Sequence, residues 1–330
     1  MNTHYEDDLA AALAQSNTAD EIKNLLMVIM AKPEYDAIEQ RYEVLKMLQD
    51  GASYTEIVAK TGSPSIMVSR IDSTMAQNEY RLKLKNKEKY ASFAAVYDEL
   101  MTDAEYEKRV GYIEKIFEQL NIKPKLMLDL ACGTGTATKI FAEKGYDMIG
   151  VDLSVDMLDA AKEKSEGLNI LYLNQPMEEF ELYGTVDAVV CILDSINYLL
   201  DYENIVKTFK LVKNYLNPGG AFIFDVNTRY KLENVLAGNV FCGESDNAYY
   251  TWENYYDKEE KICEFKLEFF IKNGETYGRH SEIHYERGYS TAELKKALKE
   301  SGLNLVGVYD DMSFEPENRK SERLYFVCTN

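Results

Sequence analysis

Three rhythms of apolar and polar positions succeed one another along the chain, changing near residue 85 and again after Asp225. In the first stretch apolar residues recur at helical steps. A Thr18-x-x-Glu21 capping box opens "EIKNLLMVIM", and Ser53-x-x-Glu56 opens "EIVAK". Between them, "YDAIEQRYEVLKMLQDG" sets Ile38, Tyr42, Leu45 and Leu48 at steps of four and three. That spacing predicts one buried helical face, closed by Gly51. The basic run "RLKLKNKEK" at 81–89 reads as a link between two domains.

In the second stretch, "AEYEKRVGYIEKIFEQL" carries Tyr106, Val110, Ile113, Phe117 and Leu120 on one helical stripe. Strands and helices then alternate. "KLMLDL", "YDMIGVD", "NILYLN", "VDAVVCI" and "AFIFDV" read as strands, the last after the turn "NPGG". "TATKIFAEKG", "SVDMLDAAKEK" and "ENIVKTFKLVKNYL" read as helices, the last with Ile205, Phe209, Val212 and Leu216 on one face. This order predicts a parallel, doubly wound sheet. The third rhythm has period two. In "KICEFKLEFFI", Cys263, Phe265, Leu267 and Phe269 face one way and Glu264, Lys266 and Glu268 the other. With "YYTWENYY", "YGRHSEIHYERGYS" and a turn at "KNGE", it predicts an antiparallel β insertion. A helix capped by Ser290-x-x-Glu293 comes next, then the strands "NLVGVYDD" and "RLYFVCTN". The expected division is an all-α domain over 1–85 and an α/β domain over 86–330, with the insertion at about 239–289.

Composition narrows the class. The longest apolar run, "LLMVIMA", is far short of the roughly 18–20 residues of a membrane helix, and the acidic start "MNTHYEDDLA" lacks the features of a signal peptide. The 5 cysteines are scattered without a CxxC, so neither a zinc site nor a disulfide framework is expected and a reducing cytoplasm fits. A net charge of -19 repels phosphate backbones and argues against a general nucleic-acid enzyme.

The chemistry gathers at "LMLDLACGTGTATKIF". A glycine turn between a strand and a helix can hold a dinucleotide, a phosphate or S-adenosylmethionine. Gly133 and Gly135 let the backbone approach a ligand, but Thr138 stands where a dinucleotide fingerprint wants its third glycine. Asp129 ends the first strand and Asp152 the second, where a carboxylate can accept both ribose hydroxyls. From about Tyr90 onward the chain resembles the class I S-adenosylmethionine-dependent methyltransferases. "LDLACGTG" is similar to their first motif, which implies Asp129, Ala131, Cys132, Gly133, Thr134 and Gly135 around the methionine part of the cofactor. "VDLSVDML" is similar to the second, implying Asp152 at the ribose and Leu153 and Met157 near the adenine. "LNPGG" resembles the turn before the fifth strand. "YASFAAVYDELM" resembles a segment of small bacterial methyltransferases that caps the cofactor, which brings in Tyr90 and Tyr97. The resemblance implies a seven-stranded, Rossmann-like sheet and S-adenosyl-L-methionine as cofactor. The chain departs at "NQPME": Pro176 replaces the usual acid, leaving Gln175 and Met177 for the adenine.

The acceptor side is less defined. Methyl transfer needs an oriented acceptor and somewhere for its proton to go. "CILDSINYL" places Leu193, Asp194, Asn197 and Tyr198 after the fourth strand, and Asp225 and Asn227 follow the fifth. Together with "HSEIHYERGYS" it resembles segments of amino-sugar N-methyltransferases, which carry a histidine where this chain has Tyr198. His284 sits in a matching Glu-x-His context. Tyr198, His284 and Asp194 are the catalytic candidates. A tyrosine with an ordinary pKa near about 10 is a poor base at neutral pH. His280, Glu282, His284 and Glu286 share one strand face, read as a solvated face and not as a metal site. Tyr250, Trp252 and Tyr256 form an aromatic strip, either a pocket cap or half of a sheet core. The Asn/Asp-Pro-Pro-aromatic motif of amino-directed DNA methyltransferases is missing, and so is a Pro-Cys dipeptide.

The front segment "GASYTEIVAKTGSPSIMVSRIDSTM" has the rhythm of a helix-turn-helix, with Gly62 closing one helix and Pro64 opening the next. Ser65, Ser69, Arg70 and Ser73 would face a major groove. The longer "AIEQRYEVLKMLQDGASYTEIVAKTGSPSIMVSRI" resembles the Trp repressor-like family, which implies a homodimer and DNA contact through residues 53–76. Residues 1–79 nevertheless hold 13 acidic against 6 basic side chains, so a purely dimerising domain stands beside the DNA-reading one. Three whole-protein readings result. The first is a methyltransferase of a small-molecule amine or hydroxyl. The second is a transcription regulator that senses the cofactor. The third and weakest is a nucleic-acid methyltransferase.

Overall fold

The computed structural model describes residues 18–49, 52, 54–64, 67, 68, 70, 71 and 104–330. The chain divides into two compact units, Met1–Lys87 and Glu88–Asn330.

The front unit contains α1 (Ala19–Ile29), α2 (Lys32–Gln49) and α3 (Tyr54–Thr61). Gly62 ends α3 in the left-handed region at φ 66, where a side chain would be strained. The Pro64 carbonyl then accepts the N–H groups of Met67 and Val68, opening a further helical turn that includes Arg70 and Ile71. Val44, Ile57 and Val68 are fully buried, with Met47, Leu48 and Ile71 packed against them. The expected apolar face of α2 is therefore rotated. Val44, Met47 and Leu48, at steps of three and one, meet α3, while Ile38 is 40% and Tyr42 60% exposed. Of the four side chains expected to face a groove, Ser65, Ser69 and Ser73 lie outside the described residues; Arg70 is helical and exposed.

In the second unit, α4 (Tyr106–Leu120) precedes an alternation of β1 (Leu126–Leu130), α5 (Thr136–Glu143), β2 (Asp147–Asp152), α6 (Val155–Lys164), β3 (Ile170–Asn174), β4 (Val186–Cys191), α7 (Tyr202–Tyr215) and β5 (Leu216–Asn227). The strands order as β10-β11-β5-β4-β1-β2-β3. Pairs among β1 to β5 are parallel; β11 (Arg323–Thr329) pairs antiparallel with both β5 and β10 (Asn304–Asp310). A sheet covered on both faces buries successive residues, and so β4, β5 and β11 are nearly continuous apolar runs. One face packs Leu128, Phe209, Phe222, Phe224 and Phe326, the other Val110, Ile113, Met127, Phe141 and Tyr325. β5 starts earlier than the sequence indicates: "NPGG" lies inside it as an irregularity between Val186↔Leu216 and Ala188↔Ala221.

The insertion is a four-stranded antiparallel sheet, β6 (Val240–Glu244), β7 (Ala248–Asp257), β8 (Ile262–Asn273) and β9 (Thr276–Arg287), in that order. β6 was not expected from the sequence, nor was the π-helical turn Lys231–Leu236. The register places Cys263, Phe265 and Leu267 of β8 opposite Glu286, His284 and Glu282 of β9, all on one face. On that face Cys263, Phe265, Phe241, Trp252 and Tyr256 pack on Leu232 and Leu236. The Trp252 ring lies 5.3 Å from Phe241 and 5.4 Å from Phe265, with its indole N–H buried and unpartnered. Of the aromatic strip, Trp252 and Tyr256 thus belong to a small core. The carboxy-terminal helix α8 (Thr291–Ser301) begins with the expected capping box at Ser290 and Glu293.

Candidate active site

The glycine turn after β1 is built from backbone that ordinary residues avoid. Ala131, Gly133 and Gly135 all have positive φ, at 62, 53 and 69. The Cys132 N–H donates to the Val151 carbonyl at 3.0 Å, tying the turn to the end of β2. Gly135 must be glycine on packing grounds as well: a Cβ there would lie 2.8 Å from the Ala161 Cβ. A Cβ on Gly133 would meet nothing within 4 Å, so the turn has open space before its backbone. Thr138, in the place of a third glycine, donates to Asp129 at 2.5 Å. Asp129 is 1% exposed, and burial pushes its carboxyl up to about 7 against the lowering effect of that hydrogen bond.

Asp152 fixes the second wall. Its two carboxylate oxygens accept the N–H groups of Gly133 and Ser154, each at 2.8 Å. A carboxylate oxygen can accept more than one hydrogen bond, so capacity for ribose hydroxyls remains. Leu153 is 72% exposed beside it, and Ser154 caps α6 by accepting the Met157 N–H. Gln175 follows β3; its N–H donates to the Asp152 carbonyl, and its side-chain oxygen accepts from Glu181 at 2.7 Å. Pro176 accepts through its carbonyl from Glu179, and Met177 packs against the core. All these groups stand beyond the carboxyl ends of β1, β2 and β3, where an open α/β sheet takes its ligand. Tyr90 and Tyr97 lie outside the described residues. The turn, the acid behind it and the ribose-side carboxylate fit an adenosine-containing cofactor.

Beyond β4 the backbone turns left-handed at Leu193 and Asp194, φ 58 and 56. Asp225 holds the turn: its carboxylate accepts the N–H of Leu193 at 3.0 Å and of Asp194 at 2.7 Å. Asp225 is fully buried and receives Arg323 at 2.5 Å. Arg323 also bonds Asp194. Burial alone would raise Asp194; the Arg323 guanidinium outweighs it and holds that carboxyl below the usual range. Arg109 of α4 extends the network to Tyr325 at 2.7 Å and Asp311 at 3.0 Å. Sequence reasoning missed Arg109 and Arg323, because a lone arginine in a periodic pattern reads as surface.

A 3-10 turn, Ser195–Tyr198, comes next. Asn197 is fully buried within it. Its amide donates to the carbonyls of Asn227 (3.0 Å) and Arg287 (2.9 Å) and accepts the Asn227 N–H (2.9 Å). Asn197, Asp225 and Asn227 are thus committed to holding the turn against β5 and the end of β9. Tyr198 faces outward, and its ring meets that of His284 edge-on at 5.9 Å. His284 Nε2 is 2.7 Å from Glu282 Oε2, and both side chains are about a third exposed. Burial, then the neighbouring carboxylates Asp159 and Glu282, raise the Asp156 carboxyl at the start of α6. Glu282 therefore stands within electrostatic reach of the cofactor-side helix. The strand face carrying these residues is only partly solvated, since Glu286 is 1% exposed.

This arrangement is that of an α/β enzyme with a nucleotide-cofactor turn at the carboxyl ends of its parallel strands. A methyltransferase-domain family model matches residues 127–220, and a Trp repressor protein model matches residues 6–88. A putative methyltransferase, YqeM of Bacillus subtilis, is 37% identical over 72% of this chain and 95% of its own length. The crystal structure of an S-adenosylmethionine-dependent methyltransferase from Clostridium acetobutylicum superposes with a TM-score of 0.67 at 35% identity, covering 73% of this chain and 98% of the other. The dTDP-3-amino-3,4,6-trideoxy-alpha-D-glucopyranose N,N-dimethyltransferase of Streptomyces venezuelae is 30% identical over 54% of this chain and 75% of its own. The chain belongs to the S-adenosylmethionine-dependent methyltransferases, with a Trp repressor-like segment in front.

Proposed function

We propose that this methyltransferase acts on the nitrogen or oxygen of a small molecule, held between the turn after β4 and the face of β9. The observation that carries the reading is the meeting of Tyr198 with the His284–Glu282 pair at that edge of the sheet. Bound S-adenosylmethionine supplies an electrophilic methyl group. Asp129, Ala131 to Gly135, Asp152, Leu153, Met157, Gln175, Pro176, Met177 and Leu193 are the proposed cofactor contacts, with Tyr90 and Tyr97 as their cap. Tyr198 orients the acceptor, His284 takes its proton, and Glu282 holds the imidazole in place. Asp194, tied to Arg323, is better suited to positioning than to proton transfer. The amine reading is supported by the similarity to the Streptomyces N,N-dimethyltransferase.

For the front domain, bounded at about residue 85, we favour dimerisation. Val28 is 84% exposed, and Met27, Ile29, Ile38 and Tyr42 are also exposed apolar side chains on α1 and α2, which suits a second copy. DNA contact through 53–76 rests on the Trp repressor match and on exposed Arg70. The five free cysteines support a reducing, cytoplasmic setting. No helix among the described residues is long and apolar enough to cross a membrane.

Purified protein incubated with labelled S-adenosylmethionine and a metabolite extract should yield a labelled small molecule. Absence of product from every pool would remove this reading. It would favour the cofactor-sensing regulator, for which a selection from random DNA should enrich a sequence in a cofactor-dependent way.

A further inference from the structure

The glycine turn is supported from behind by the end of α6. Gly135 is the N-cap of α5 and, lacking a side chain, gives the first turn of that helix no side-chain cap. The start of α5 is fixed instead by the neighbouring helix. Ala161 packs so close to Gly135 that a Cβ there would lie 2.8 Å from the Ala161 Cβ. Lys164, the last residue of α6, reaches across to the turn. Its Nζ donates to Thr136 Oγ1 at 2.6 Å and to Thr134 Oγ1 at 2.9 Å. The two hydroxyl oxygens are 3.4 Å apart, so a single ammonium grips the residues on either side of Gly135. Next to it, the Tyr172 hydroxyl of β3 lies 3.1 Å from Ser165 Oγ and closes the same wall.

We infer that Lys164 is a positioning residue for S-adenosylmethionine: its ammonium staples Thr134 to Thr136 and so sets the turn before the cofactor arrives. The inference rests on the proposed cofactor contacts, in which this turn receives the amino-acid end. Charge points the same way. The ammonium complements the negative carboxyl-terminal end of α6 but faces the positive amino-terminal end of α5. The two effects oppose each other, so the contact adds little to helix stability. Together with the start of α5 it places positive potential behind the turn, and a carboxylate is the charge that such potential favours. The cofactor carries its carboxylate at the amino-acid end. Asp152, at the ribose, is held separately by the N–H groups of Gly133 and Ser154. Loss of the staple therefore acts on one end of the cofactor and spares the other.

Calorimetry on the full chain separates this role from general packing. The two ligands are S-adenosylhomocysteine and 5′-methylthioadenosine, which keeps the nucleoside and the sulfur but lacks the amino-acid end. Lys164→Met should weaken S-adenosylhomocysteine about tenfold and leave 5′-methylthioadenosine within about twofold. Lys164→Arg keeps a cation with several donors and should bind S-adenosylhomocysteine within about threefold of the parent. Thr136→Val removes one arm of the staple and should show the same selective loss at smaller size. The melting temperature of cofactor-free Lys164→Met should match the parent. Equal loss for both ligands, or loss for neither, overturns the staple. Asp152→Ala, measured alongside, tests the site itself: if it leaves both ligands untouched, the cofactor placement fails, a result independent of Lys164.

Discussion

Asp129 lies beneath the glycine turn with burial holding its carboxyl near 7. Because the folded value exceeds the ordinary 3.8, the folded protein keeps a proton that the unfolded chain gives up. This group's contribution to stability is complete below the unfolded pKa, falls as pH rises toward about 7, and is level above it. In Asp129→Asn the dependence disappears. The melting temperature of that variant relative to the parent should climb through this window, and parallel curves would contradict the protonated state. Asp152→Ala should weaken S-adenosylmethionine binding by at least ~1 kcal/mol in calorimetry, since a charged acceptor and the anchor of Gly133 and Ser154 are lost together. Both aspartates were legible because their meaning lies in short spacings around one turn. Arg109, Arg323 and Glu286 were not, because partners such as Arg109 and Tyr325 are 216 residues apart and only the fold brings them together.

Besides Asp225, the turn after β4 is held by Asn197, whose side chain reaches three backbone groups. Asn197→Ala would strip hydrogen bonds from buried backbone of β5 and of the β9 end. A loss of about 2–3 kcal/mol in urea unfolding is expected, and a loss under a few tenths would mean the clamp is redundant. Gly135→Ala combines a clash at Ala161 with a left-handed backbone and should cost about 1–3 kcal/mol, with weakened cofactor binding. Long periodic elements were readable in advance: α4, α7, β7, β8 and β9 lie where their apolar rhythm placed them. β6 was missed because five residues with an internal glycine carry little period. β5 was shortened because "NPGG" looks like a turn and is an irregularity within a strand. On α2, helical spacing named Leu48 among the residues that meet α3, but it also named Ile38 and Tyr42, which are exposed, and missed Val44 and Met47.

At the scale of the molecule, the apolar side chains exposed on α1 and α2 are where the proposed dimer would form. Val28→Glu combined with Tyr42→Glu should turn a dimer into a monomer in light scattering, with cofactor binding intact. A parent protein already monomeric at high concentration would refute the dimer. The net charge of -19 was readable at once, yet it says nothing of the ion-pair network of Arg109, Arg323, Asp225 and Asp194 that joins α4, β11, β5 and the turn after β4. The chain has a single tryptophan, Trp252, and it sits in the antiparallel sheet with its N–H unbonded, away from the glycine turn. Tryptophan emission, excited selectively over the 25 tyrosines, therefore watches the antiparallel sheet. Cofactor loading should leave the signal flat, and acceptor arrival should change it, so a mixing experiment can time the order in which the two substrates enter.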